Sequence, residues 1–112
     1  MEYKTLLKEI IVEIEKATSI VILRHRKHDP DALGSQLGLK ELIMATYPKK
    51  AVYAIGDMPD NLKYIGEMDE ISIETFHHSL VIVTDCSTPR LINCPFEVSV
   101  DDVIKIDHHP NV

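Results

Sequence analysis

The feature that most limits what this chain can fold into is a set of short apolar runs without polar alternation. They are SIVIL (Ser19–Leu23), AVYAIG (Ala51–Gly56), SLVIVTDC (Ser79–Cys86) and DVIKIDHH (Asp102–His109). Continuous β-branched stretches of this length suit strands buried on both faces, as in a parallel sheet. Between them the rhythm changes. Leu6, Leu7, Ile10, Ile11 and Ile14 recur at helical spacing and predict an amphipathic helix over Tyr3–Ala17. Leu33, Leu37, Leu39, Leu42, Ile43 and Met44 predict a second over Ala32–Tyr47, stopped by Pro48. A short helical piece is expected around Leu62–Ile65. Strands alternating with helices imply right-handed crossovers, so the expected fold is α/β: a mostly parallel sheet with helices on both faces.

With 112 residues, 45% of them apolar, the chain can bury one core and is too short for two ordinary domains. Twelve Lys+Arg against eighteen Asp+Glu give a formal charge of -6, which excludes a general electrostatic footprint for duplex DNA. Two cysteines, Cys86 and Cys94, cannot make a disulfide framework and favour a reducing, cytoplasmic setting. The opening MEYKTLLKEI is charged and periodic, unlike a signal peptide, and no run approaches a membrane span, so no membrane partner is expected.

Three of the four runs end in, or lead directly into, acidic or histidine residues: His25 after SIVIL, Asp85 in SLVIVTDC, and Asp107, His108 and His109 in DVIKIDHH. In open α/β sheets ligands bind outside the carboxyl ends of the strands, so these groups should converge. The densest stretch is RHRKHDPDALGSQLG, Arg24–Gly38, which sets His25, His28, Asp29 and Asp31 at one strand end; IDHHPN, Ile106–Asn111, holds a second cluster. If Asp29, Asp31, Asp85 and Asp107 gather, each carboxylate pair about 4 Å apart costs roughly 4 kcal/mol at an effective dielectric near 20. Cations are required, and Arg24, Arg26, Lys27, Arg90 and Lys105 are the basic residues at hand. Imidazole mixed with carboxylate points instead to divalent metal: Mn, Zn or Fe(II), with Mg tolerated where oxygen dominates.

Pro30 pushes Asp29 toward extended backbone, so Asp29 and Asp31 can point the same way or straddle two ions. Asp31 stands where a helix N-cap would, and Gly34 and Ser35 in the first turn leave N–H groups open to an anion. Metals beside a phosphate-ready helix start are the parts of a two-metal phosphoryl hydrolase, with ions about 3.5–4 Å apart. Plainer readings stand beside these. His77 and His78 are expected on the surface, His28 can be a turn residue, and Cys86 a small buried one. Asp101 and Asp102 read as loop charges. Gly34 and Gly38 can serve only to let the helix approach the sheet, and Arg90 can be solvated or can contact a substrate phosphate.

Taken in order, H25-R-K-H-D29-P-D31-A-L-G-S-Q, V83-T-D85-C and D107-H-H-P-N resemble the first three motifs of the DHH family of phosphoesterases. DPDALGSQLGL and DHHPN are most similar to its nanoRNase/pAp-phosphatase branch. The family also includes RecJ-type exonucleases, cyclic-dinucleotide phosphodiesterases and family II pyrophosphatases. The resemblance implies two Mn ions. His25 and Asp29 would hold the first, Asp31 and His108 the second, and Asp85 would bridge them together with the nucleophilic water. His109 would contact the scissile phosphate, and Asp107 would orient the histidine pair. With Ser35 and Arg90 as further substrate contacts, the implied substrates are short RNA oligonucleotides or small nucleotides such as pAp.

Two departures from the family pattern bear on this. His28 stands where relatives commonly have proline. The family's fourth motif, another metal-binding aspartate, and its C-terminal glycine-rich substrate-binding domain are not found in residues 1–112. The expectation is therefore the N-terminal portion of a DHH domain, truncated after the third motif, impaired in turnover and open to self-association through an unpaired strand edge. The alternative is a non-catalytic metal- or nucleotide-binding module, or another branch such as the cyclic-dinucleotide phosphodiesterases.

Overall fold

The computed structural model describes the backbone of residues 3–25, 30–84, 92–96 and 103–106, with side chains at 8–24, 30–84 and 94–96. The elements run α1 (Tyr3–Lys16), β1 (Ser19–His25), α2 (Pro30–Thr46), β2 (Ala51–Ala54), a 3-10 turn (Asp60–Leu62), α3 (Ile73–His77), β3 (Leu80–Thr84), β4 (Ile92–Asn93) and β5 (Val103–Ile106). The four expected strands and two long helices are all present. α3, β4 and the earlier place of the short helical turn were not anticipated.

The sheet order is β2-β1-β3-β5, every neighbouring pair parallel, with β4 added antiparallel to β1. β1 pairs with β2 from Ser19 to Ile22 and with β3 from Ile20 to Arg24. Past Ile22, β2 has ended, and β4 joins β1 at Arg24 and His25. The chain thus steps from β1 to one side, then returns across β1 to the other. Because parallel crossovers are right-handed, a reversal of direction sends the second connection over the opposite face.

The two cores follow from that reversal and from strand alternation. On one face Ile20, Ile22, Val52 and Ile82 pack with Ile14 of α1 and Ile43 of α2, flanked by Ile10, Leu39 and Tyr47. On the other, Val21, Leu23, Val81 and Val83 pack with Ile55 and with Phe76 of α3, flanked by Tyr53, Ile71, Cys94 and Phe96. The α/β architecture with helices on both faces is the expected one, although the second face is covered by a single five-residue helix and loop residues among those described. α3 is started by Ser72, whose hydroxyl accepts the Thr75 N–H at 3.1 Å.

α1 is closed from outside itself. Lys50 Nζ donates to the carbonyls of Glu15 at 2.8 Å and Ala17 at 2.5 Å, placing a cation where the helix leaves carbonyls unpaired. Gly56 has φ 132, a region closed to side chains with a Cβ, and turns the chain out of β2.

Candidate functional site

In a sheet ordered 2-1-3, the switch point is the crevice between the two strands from which successive connections leave in opposite directions, here β1 and β3. Arg24 of β1 is level with Thr84 of β3, and Thr84 is level with Ile106 of β5. His25 follows Arg24, Asp85 follows Thr84 and Asp107 follows Ile106 in the chain. Three motif-bearing strands therefore finish in register along one edge. His25 closes β1, with its backbone opposite Ile92 of β4. Asp31 and Ser35 lie in the N-terminal half of α2, and both are exposed. Asp29, Asp85, Arg90, Asp107, His108 and His109 lie outside the described residues, as do His28, Cys86, Asp101 and Asp102.

Three local expectations change. α2 begins at Pro30, so Asp31 sits inside its first turn and is not the N-cap. Proline suits the first helical position because its φ is already helical and its missing N–H would have had no intrahelical partner. Consequently Gly34 and Ser35 belong to the second turn, where their amides have the carbonyls of Pro30 and Asp31 as helical acceptors. Ser35 presents an exposed hydroxyl, not an open amide. Gly34 and Gly38 do not bring the helix close to the sheet either. Among the described residues, a Cβ at either would meet nothing within 4 Å, and the buried positions of α2 are Ala32, Leu33, Gln36 and Ile43. The tight contact of α2 is instead with the loop at Gly66, where a Cβ would stand 2.7 Å from Leu37 Cδ1. His77 and His78 are exposed, as expected.

Arg24 was one of the cations available to the acidic groups. Its guanidinium instead enters the interface between α2 and the segment after β2, at 0% exposure. There Nη1 donates to Gln36 Oε1 at 3.2 Å and contacts Met68 Sδ at 3.4 Å, while Nη2 donates to the Asp57 carbonyl. Nε has no hydrogen-bond partner among the described residues. Burial lowers the Arg24 pKa, and the nearby Asp57 carboxylate opposes that shift.

Gln36, also fully buried, completes the junction. Its Nε2 donates to the carbonyls of Ile22 at 2.7 Å and Ile55 at 2.9 Å, so one amide joins α2, β1 and the residue after β2. One helical turn later, Lys40 Nζ reaches Asp69 Oδ2 at 2.6 Å, and the same oxygen accepts the Ala54 N–H at 2.9 Å. The Asp69 N–H returns to the Ala54 carbonyl at 2.7 Å, covering the outer edge of β2 at its end. Sequence reading missed both connections. The signal available to it was Gln36 and Lys40 at i, i+4 on an otherwise apolar helix face.

Residues 19–112 match the DHH family, N-terminal domain. The chain belongs to the DHH family. It is 40% identical over 107 residues to the probable bifunctional oligoribonuclease and PAP phosphatase NrnA of Streptococcus mutans, covering 96% of this chain and 34% of that protein. It is 40% identical over 103 residues to the bifunctional oligoribonuclease and PAP phosphatase NrnA of Bacillus subtilis, covering 92% and 33%. To the protein of that name from Thermus thermophilus it is 33% identical over 106 residues, covering 89% and 31%. The chain spans about a third of the length of the curated relatives it matches.

The donor set suits a divalent ion: neutral imidazole and carboxylate together are ligands for Mn-type metals. Among the described residues no three His, Cys, Asp or Glu side chains come together, since Asp31 is the one described side chain of the expected ligand set. What the described part supplies is the frame, with strand ends in register and the start of α2, which carries Asp31, tied to them.

Proposed function

We propose that residues 1–112 form the N-terminal part of a two-metal phosphoesterase acting on short oligoribonucleotides, on a 3′,5′-bisphosphonucleotide such as pAp, or on both. The observation that carries this reading is the alignment of the three motif-bearing strand ends at the β1/β3 switch point. Kinship with proteins named for both activities supports the substrate class.

In this reading His25 and Asp29 would hold one ion, Asp31 and His108 the other, and Asp85 would be shared by both. The metal would be Mn, with Mg as the alternative ion. Two bound ions would supply a water that is nucleophilic at neutral pH and charge to offset the leaving oxygen. The remaining roles are those of the chain. His109 contacts the phosphate undergoing cleavage, and Asp107 orients the histidine pair. The Ser35 hydroxyl and Arg90 contact the other oxygens of the substrate. A chain of net charge -6 suits a small nucleotide gripped at one site.

The test is isothermal titration of the metal-stripped chain with Mn, beside the same titration of Asp85→Ala. Binding that is lost in Asp85→Ala, with weaker loss in His25→Ala, supports the shared role of Asp85. No Mn uptake by the wild-type chain, or equal effects of the two substitutions, contradicts it. Turnover is expected in a chain extended through the fourth motif, measured as mononucleotide released from a short RNA and phosphate released from pAp.

A further inference from the structure

We propose that Gln36, keyed by Arg24, is a positioning residue that fixes the first turns of α2, and with them Asp31 and Ser35, against the strand ends of the switch point. The inference rests on the phosphoesterase reading for the purpose of the residues positioned, but not for the geometry that positions them.

Ala32, Leu33 and Ile43, the other buried residues of α2, pack through contacts that carry no direction. A helix held by them alone can rotate or slide with little loss. Gln36 is the polar member of that buried set, and its hydrogen bonds are directional. Both amide hydrogens are committed, to Ile22 O and Ile55 O, and its oxygen takes Arg24 Nη1. The arrangement also fixes which way the amide points. Reversing it would set Oε1 against two carbonyl oxygens and Nε2 against a guanidinium. Arg24 extends the same connection to Asp57 O, so the segment leaving β2 is held to the end of β1 through the residue that precedes His25.

Gln36 follows Asp31 by five residues, about 7.5 Å along the helix axis. Gly34, between them, has nothing within 4 Å of its Cβ position among the described residues and cannot act as an anchor. The Lys40–Asp69 pair is a turn further away from the site and partly exposed. Among the described residues, Gln36 is thus a directional anchor for the axial and rotational place of a first turn that carries Asp31. A metal or phosphate site tolerates little error there, since displacements of about 1 Å can cost on the order of a hundredfold in function.

The experiment compares the 112-residue chain with Gln36→Met, which keeps volume and loses the donors, by amide hydrogen exchange and by Mn titration. Exchange at Gly34, Ser35, Gln36 and Leu37 should accelerate at least about tenfold more than at Ile43–Tyr47, as expected when two buried hydrogen bonds near one end are lost. Mn affinity should weaken by at least about tenfold, and in an Asp31→Asn background Gln36→Met should weaken it no further, because Gln36 acts through that ligand. Uniform acceleration along α2, or Mn affinity equal in the two proteins, overturns the proposal. If the wild-type chain takes up no Mn, the phosphoesterase reading of this chain fails, and the exchange contrast alone decides the positioning role. Should Gln36→Met not fold, Arg24→Lys, which keeps the charge and loses the two-armed reach to Gln36 and Asp57, carries the same comparison.

Discussion

Replacing Asp69 separates a charge from a hydrogen bond in a way the structure makes quantitative. Asp69 Oδ2 serves Lys40 Nζ at 2.6 Å and the Ala54 N–H at 2.9 Å. The Asp69 and Lys40 side chains are 33% and 19% exposed, so solvent screens the ion pair and its loss costs about 0.5–1 kcal/mol. Ala54 is fully buried, and leaving its N–H without an acceptor costs a further 1–3 kcal/mol or so. Asp69→Asn retains an oxygen for Ala54 and should lose only about 1 kcal/mol; Asp69→Ala loses both partners and should lose roughly 2–4 kcal/mol. Lys40→Met should resemble Asp69→Asn. With a urea slope of roughly 1–3 kcal/mol per molar, a 3 kcal/mol loss moves the unfolding midpoint down by at least about 1 M. Equal midpoints for Asp69→Asn and Asp69→Ala would show that the charge, and not the protection of the β2 edge, accounts for the effect.

Other substitutions test single features. Gly56→Ala should cost about 1–3 kcal/mol because φ 132 strains any side chain. Gly66→Ala, whose Cβ meets only the far end of Leu37, should cost less than about 1 kcal/mol, and calorimetry ranking them the other way would refute the assignment. Ser72→Ala should lose about 1 kcal/mol from the cap of α3, read as faster exchange at Phe76 and His78; unchanged rates would deny the cap. Burial raises the pKa of the half-buried Cys94 thiol, with a backbone hydrogen bond at Phe96 opposing the shift. A raised folded-state pKa contributes stability that is present below the unfolded thiol's pKa and lost as pH rises through the folded value. Urea midpoints should therefore fall above about pH 9 in the wild type and less steeply in Cys94→Ala, and parallel curves would contradict this.

The strands and long helices were legible because β-branched runs and 3.6-residue spacing are local signals, and the strand-end rule then located the candidate site without any tertiary information. That rule pointed to His25 and Asp31, which stand at the end of β1 and in the first turn of α2. The role of Arg24 was not legible for the complementary reason: its partners Gln36, Asp57 and Met68 lie 12, 33 and 44 positions away, and nothing local marks a cation that is buried against carbonyls. β4 is two residues long and exists only because β1 outruns β2. α3 left a faint trace in Ser72 and in the spacing of Ile73 and Phe76, too short for periodicity to register. Gly34 and Gly38 illustrate the opposite error, since a spacing that fits close packing says nothing about which side of the helix faces the sheet.

The placement of β1 between β2 and β3 also has a consequence in time. β2 lies about thirty residues beyond β1, but β3 lies about sixty beyond it, and the β1–β3 pair is fastened near both ends by side chains. Ser19 Oγ meets Ser79 Oγ at 2.6 Å, and Thr84 Oγ1 donates to Leu23 O at 3.2 Å. During synthesis the central strand therefore stands with one edge open until the residues around Leu80–Thr84 have left the ribosome. Before that moment β1, α2 and β2 can meet only as an unfinished unit with exposed backbone donors and acceptors, a natural target for a chaperone or for another nascent copy. Closure of the sheet's centre therefore waits for β3, and the edge that carries the candidate site comes into being with it.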